Sequence, residues 1–189
     1  MKRLSTLALA TGILALAGAT ALVHGNPRAA AVGPGRPISQ VYDVAYDAGL
    51  TRTLYGVPGT ISRGDTFIVT GRIYPGGTIP AGGVFNPDTP GSIGTWTCRG
   101  VYNFDAEEME AGAEPMVFTT QVFQFDDGTT IVTEGPEGMA THTRAVTGGT
   151  GAAVGALGQV RQEFLGFNET IDVDQMLGMN FRFTFWIRN

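Results

Sequence analysis

The sequence is short of charge, of cysteine and of helical pattern, and each shortage narrows what it can be. Charged residues make up 15% of the 189, and lysine occurs once, at Lys2. The lone cysteine, Cys98, forbids a disulfide within the chain, so stability has to come from a packed core. The two histidines, His24 and His142, have neither a second histidine nor a cysteine at ligand spacing, so no metal site is expected. A phosphate loop ending in Gly-Lys-Ser/Thr is absent, and the GGTG run at 148–151 is followed by strand-like residues rather than by a helix. No nucleotide or other cofactor is therefore expected. No Gly-x-Ser-x-Gly occurs either, which leaves a serine nucleophile unsupported. Apolar residues do not recur every three to four positions over any segment long enough for a packed helix.

What is present is glycine, β-branched residues and aromatics. Twenty-eight glycines and ten prolines punctuate short apolar runs. This pattern predicts an all-β domain whose strands are joined mainly by hairpins. Strands are expected at 41–47, 65–75, 93–104, 116–125, 129–135, 141–147, 157–167 and 180–189. Asp126-Asp127-Gly128 is a tight-turn signal between two of them. The acidic stretch 105–115 reads as a solvated loop, and 168–179 as polar with room for a helical turn. Such a set closes most simply into an antiparallel barrel or a sandwich. Several strands are apolar on both faces. In the last one Phe181, Phe183 and Phe185 share a face, with Arg182, Thr184 and Trp186 on the other. Two apolar faces imply an oligomer, an apolar ligand inside, or both.

The first 31 residues read differently. Lys2 and Arg3 precede an uncharged run, Leu7 to Val23, and small residues follow at Ala19-Thr20-Ala21 and Ala29-Ala30-Ala31. This is the pattern of a cleaved secretory signal, and it predicts a secreted or periplasmic protein. Residues 32–40 then form a flexible lead-in and 41–189 a single barrel domain. Cleavage after Ala31 leaves nine arginines, no lysine and 17 acids, a formal charge of −8, which disfavours nucleic acid and anionic membranes as partners.

Strand alternation nominates the lining of the interior. Trp96, Cys98 and Tyr102 share a face, as do Phe67, Val69, Gly71 and Ile73. Counting from Asp43 puts Val41 and Ala45 on its side of the first strand. Asp43 is either a polarising acid inside the barrel or a solvated group at its mouth. Glu137 follows Gly135-Pro136 and reads as an exposed loop acid or a rim group. Most of the other positions serve equally well as barrel filling or as ligand lining.

Several segments in order, AVTGGTGAAVGALGQV (145–160), IGTWTCRGVYNF (93–104), VFQFDDGTTIVTEGP (122–136), GRIYPGG (71–77) and FRFTFWIR (181–188), resemble the strands and glycine corner of allene oxide cyclases. The GGTG corner is also similar to that of dirigent proteins, which share the barrel. The resemblance implies an eight-stranded antiparallel barrel, often trimeric, holding one elongated apolar molecule without metal or cofactor. It implies catalytic roles for Asp43 and Cys98 in a cyclisation. The family's amide positions fall on Ala45 and Gly71, its tyrosine on Glu137, and the dirigent arginine of the corner on Leu157. Those departures speak against the cyclases' own substrate. The reading is a secreted barrel that binds an apolar small molecule and guides its cyclisation or coupling. The alternatives are a cofactor-independent cyclase or isomerase, or a structural barrel filled by its own side chains.

Overall fold

A computed structural model describes residues 38–172 and 176–188. The expected signal segment, the proposed cleavage sites and most of the lead-in lie outside them. The strands are β1 (Ile38–Leu54), β2 (Thr66–Pro75), β3 (Gly94–Tyr102), β4 (Val117–Phe125), β5 (Thr130–Glu137), β6 (His142–Thr150), β7 (Leu157–Ile171) and β8 (Leu177–Arg188). Each pairs antiparallel with the next, and β1 also pairs with β8, which closes an eight-stranded barrel. The all-β, eight-stranded antiparallel expectation is met.

The differences are in where strands end. β1 starts at Ile38, so the last three residues of the expected lead-in already pair with β8. It also runs on to Leu54 through a register shift between Asp47 and Arg52. β7 continues to Ile171 because two register shifts against β8 absorb its irregular stretch. The acidic segment carries a short helix, α1 (Ala106–Glu110), where an exposed loop was expected. The Glu108 carboxylate accepts the Asp105 backbone N–H at 2.9 Å and pairs with Arg63 at 3.1 Å, a start signal written in the sequence as Asp-x-x-Glu.

The middle of the barrel is full. Phe183 and Phe185 of β8 meet Phe123 of β4 edge-to-face, with ring centroids 4.9 and 5.1 Å apart. Val44, Ile73, Trp96 and Val160 complete this layer from other strands. Strands β1, β2 and β7 also bury part of their outer face, while Val41 and Ile68 on it stay exposed. The β2–β3 connection, residues 76–92, folds over Ala45, Tyr74 and Leu165 and plants Ile79 and Phe85 against them. The Tyr74 hydroxyl lies 2.8 Å from the carbonyl oxygens of Pro87 and Thr89 in that connection. An interior core and a second core under a loop explain why β1, β2 and β7 carry apolar residues on both sides.

Candidate functional site

The aromatic plug leaves the barrel hollow toward the end where α1 sits. There a cavity of about 310 Å³ opens between β1, β2, β3, β8 and the α1 segment. Its wall is mostly apolar, with Phe67, Val69, Tyr102 and Phe181 from the strands and Ala106 and Met109 from α1. Tyr46, Thr51, Cys98 and Glu137 are polar groups at its barrel side. A volume of this size is at the low end for small-molecule sites, and its balance of apolar wall and few polar groups is the usual one.

Glu137 is the buried charged group of this chamber, 8% exposed, whereas Glu110 of α1, also in its wall, is exposed. Its Oε2 accepts from Thr119 Oγ1 at 2.9 Å, Gln121 Nε2 at 2.9 Å and the Cys98 thiol at 3.5 Å. Its Oε1 accepts from Gln162 Nε2 at 2.9 Å. All four partners donate, the arrangement a carboxylate satisfies. Arg144, also buried, lies 3.7 Å from Oε2 and supplies the opposing charge. Its guanidinium is fixed by donating to the carbonyls of Gly135, Pro136 and Thr119 at 2.9–3.0 Å. Burial pulls the Arg144 pKa below its ordinary value, and the Glu137 charge opposes that pull. Gly135, at φ 149°, lets this happen: a Cβ there would stand 3.3 Å from both Cα and Cβ of Arg144.

Cys98 is fully enclosed. Burial, and then the neighbouring Glu137 charge, hold its thiol pKa well above the ordinary value, so it is a neutral group and not an activated nucleophile. Tyr46 is the other polar wall. Burial pushes its phenol up to about 12. In the unfolded chain the phenol ionises near its ordinary value of 10, while in the barrel it keeps its proton to about 12. Unfolding therefore releases a proton in that window, and stability falls as pH rises through it. The expected loss from this group is about 2 kcal/mol between pH ~10 and ~12, from the pKa difference. Urea denaturation across that range, with Tyr46→Phe as the control that flattens the slope, checks it.

The expected lining residues divide. Phe67, Val69, Trp96, Cys98, Tyr102 and Glu137 come together around the cavity. Ile73 is completely buried in the aromatic layer instead. Gly71 is a strand-crossing position: a Cβ there would lie 2.5 Å from the Ala45 carbonyl oxygen and 2.8 Å from the Tyr46 Cα. The main correction concerns Asp43. It is buried, but on the outer face of β1 beneath the 76–92 connection, and Val41 and Ala45 are on that face with it. The interior residues of β1 are Tyr42, Val44 and Tyr46. Asp43 accepts the backbone N–H groups of Gly77 and Ile79 at 2.9 and 2.8 Å and both a 2.8 Å and a 3.0 Å hydrogen bond from Arg182. It is a loop latch, and the acid inside the barrel is Glu137. Its exposed or rim placement is corrected with it, because β5 runs through the Gly-Pro step and ends one residue past it, at Glu137. Sequence reasoning did not find Tyr46, Gln121, Gln162 or the charge partner Arg144. The one available signal was parity, since Gln121 and Arg144 each stand an even step from an inward apolar residue, Phe123 and Val146. Among the described residues no three His, Cys, Asp or Glu side chains gather as a metal would require.

No family model matches the chain, and no curated protein matches it in sequence. Solved structures do share its fold. A pyocyanin demethylase superposes with a TM-score of 0.52 at 16% identity, over 80% of this chain and 100% of that one. A pterocarpan synthase dirigent protein gives 0.58 at 12% identity, over 82% and 97%. A second pterocarpan synthase dirigent protein gives 0.55 at 11% identity, over 82% and 87%. The chain thus has a dirigent-like barrel. The likeness to allene oxide cyclases rests on the sequence motifs alone.

Proposed function

We propose that the barrel holds one apolar small molecule in the α1-end cavity and guides its ring closure or coupling by shape and by the fixed charge of Glu137. The observation that carries this reading is an apolar chamber with a single buried carboxylate in its wall, kept in place by four donors and Arg144. Its structural neighbours support it, one being named for demethylating pyocyanin and two as pterocarpan synthase dirigent proteins. A preorganised carboxylate beside an apolar chamber also favours positive charge developing in an occupant. That gives the second reading, a cofactor-independent cyclase or isomerase in which Glu137 takes the part that the sequence assigned to Asp43. A wholly filled interior fits less well with the hollow end.

The barrel works, on this proposal, outside the cytoplasm after loss of residues 1–31, and as a homo-oligomer, with a trimer as the expected form. The outer face of β2, β3 and β4 supports self-association. There Leu54, Ile68, Val101 and Phe118 are exposed along one groove with Arg52, Arg99 and Glu134. Native mass spectrometry of protein purified without denaturation tests both parts. We expect a retained organic molecule, subunits in a fixed multiple, and loss of the bound mass in Ala106→Trp, which fills the cavity mouth. A wild-type protein that is bare and takes up no apolar aromatic compound would remove the binding reading.

A further inference from the structure

All five methionines beyond Met1 line the same cavity: Met109, Met116, Met139, Met176 and Met179. They come from the α1 segment, the β5–β6 connection and the start of β8, so no local pattern groups them. A thioether on a flexible stem repacks around its neighbour and makes favourable contacts with ring edges. Such a collar suits a flat aromatic body better than a branched or aliphatic one.

The second feature lies on β3. Trp96 lines the cavity and is buried, and its indole Nε1 has no hydrogen-bond partner among the described residues. An indole N–H can only donate, and buried ones nearly always find an acceptor. The surroundings offer none: the nearest ring is Phe183, 6.3 Å away between centroids, and the next inward residue, Cys98, turns its sulfur to Glu137. Glu137 by contrast already accepts from four donors of the protein. Two buried polar atoms of the wall thus lack a partner: Trp96 Nε1, which can only donate, and the Thr51 hydroxyl, which can also donate, so an acceptor on the occupant serves both.

We infer that the occupant is a flat aromatic molecule carrying a hydrogen-bond acceptor, a ring ketone oxygen or a ring nitrogen, and that Trp96 Nε1–H binds that atom. This rests on the cavity reading above and adds the chemical group that the occupant must present. Trp96 is then a specificity-determining residue, selecting against hydrocarbons of the same shape.

Fluorenone and fluorene are the probes, since they differ mainly in one carbonyl oxygen. Binding is measured by equilibrium dialysis on the full protein and on Trp96→Phe, which keeps a ring and removes the donor. Fluorenone should bind the wild type about tenfold more tightly than fluorene, the worth of one satisfied hydrogen bond. The preference should vanish in Trp96→Phe with fluorene affinity retained. In the ¹⁵N-labelled wild type, which has two tryptophans, the Trp96 indole proton should move downfield with fluorenone and not with fluorene. That readout stands even if the variant does not fold. Equal affinities, a preference surviving in the variant, or a stationary indole peak would overturn the inference while leaving the cavity as a binding site. If neither probe binds, the cavity reading falls and the inference with it.

Discussion

Arg144→Met is expected to lower the unfolding free energy by about 3–5 kcal/mol, the cost of stranding one charge of a buried pair. The methionine is close in length and apolar, so the loss is not a cavity effect. It comes from the Glu137 carboxylate, left 8% exposed with no counter-charge, and from the carbonyls of Gly135, Pro136 and Thr119, which lose their donor. The double variant Arg144→Met/Glu137→Gln should lose less than the single one. A glutamine there can still accept from Thr119 and Gln121, and it buries no charge. Paired residues of this kind couple by about 1–3 kcal/mol. Urea denaturation of the four proteins of the cycle gives the coupling directly. If the double variant is as unstable as Arg144→Met alone, Arg144 is held for its carbonyl hydrogen bonds and not for its charge.

The same pair shows where sequence reading stops. Inward strand faces were legible wherever one face was plainly larger and more aromatic: Phe181, Phe183 and Phe185 lie inside, as do Trp96, Cys98 and Tyr102. The Asp-Gly turn was equally clear, with Gly128 at φ 84°. The first strand gave no such cue. Tyr42, Val44 and Tyr46 alternate with Val41, Asp43 and Ala45, and the 76–92 connection buries Asp43 and Ala45 on the outside. A strand without a wet face carries no pattern to fix its parity, and a one-residue error turns every side chain over. The bulkier set was the inner one, and the aligned family acid drew attention to the other.

Glu137 was hidden by its neighbours. Gly-Pro normally marks a turn. Here β6 pairs with β5 only as far as Glu134, so Pro136 pairs with Phe118 of β4 at a point where its missing N–H costs no ladder bond on the other side. Two more residues of strand carry Glu137 inward. The methionine collar was not legible at all, because it is assembled from three distant segments that only barrel closure brings together.

Asp43→Ala separates a latch from a catalytic acid. The carboxylate satisfies the N–H groups of Gly77 and Ile79 and a two-pronged bond from Arg182, which in turn donates to the Ile79 carbonyl at 3.0 Å. Removing it leaves these donors under a loop that also covers Tyr74 and Leu165. The Arg182 side chain is 28% exposed and can regain water, so the expected cost sits at the low end for a broken buried pair, about 3 kcal/mol. Amide exchange should accelerate at Gly77 and Ile79 well before the interior strands open, since these two amides lose their acceptor while the rest of the 76–92 connection keeps its apolar contacts, the Tyr74 hydroxyl and the Asn86–Glu169 hydrogen bonds. Affinity for an aromatic occupant should stay unchanged, because Asp43 lies on the far side of the β1 backbone from the cavity wall formed by Tyr46. A folded Asp43→Ala protein that no longer binds would return the aspartate to the site. A folded protein that binds normally with a loosened loop leaves Glu137 as the acid that faces the occupant.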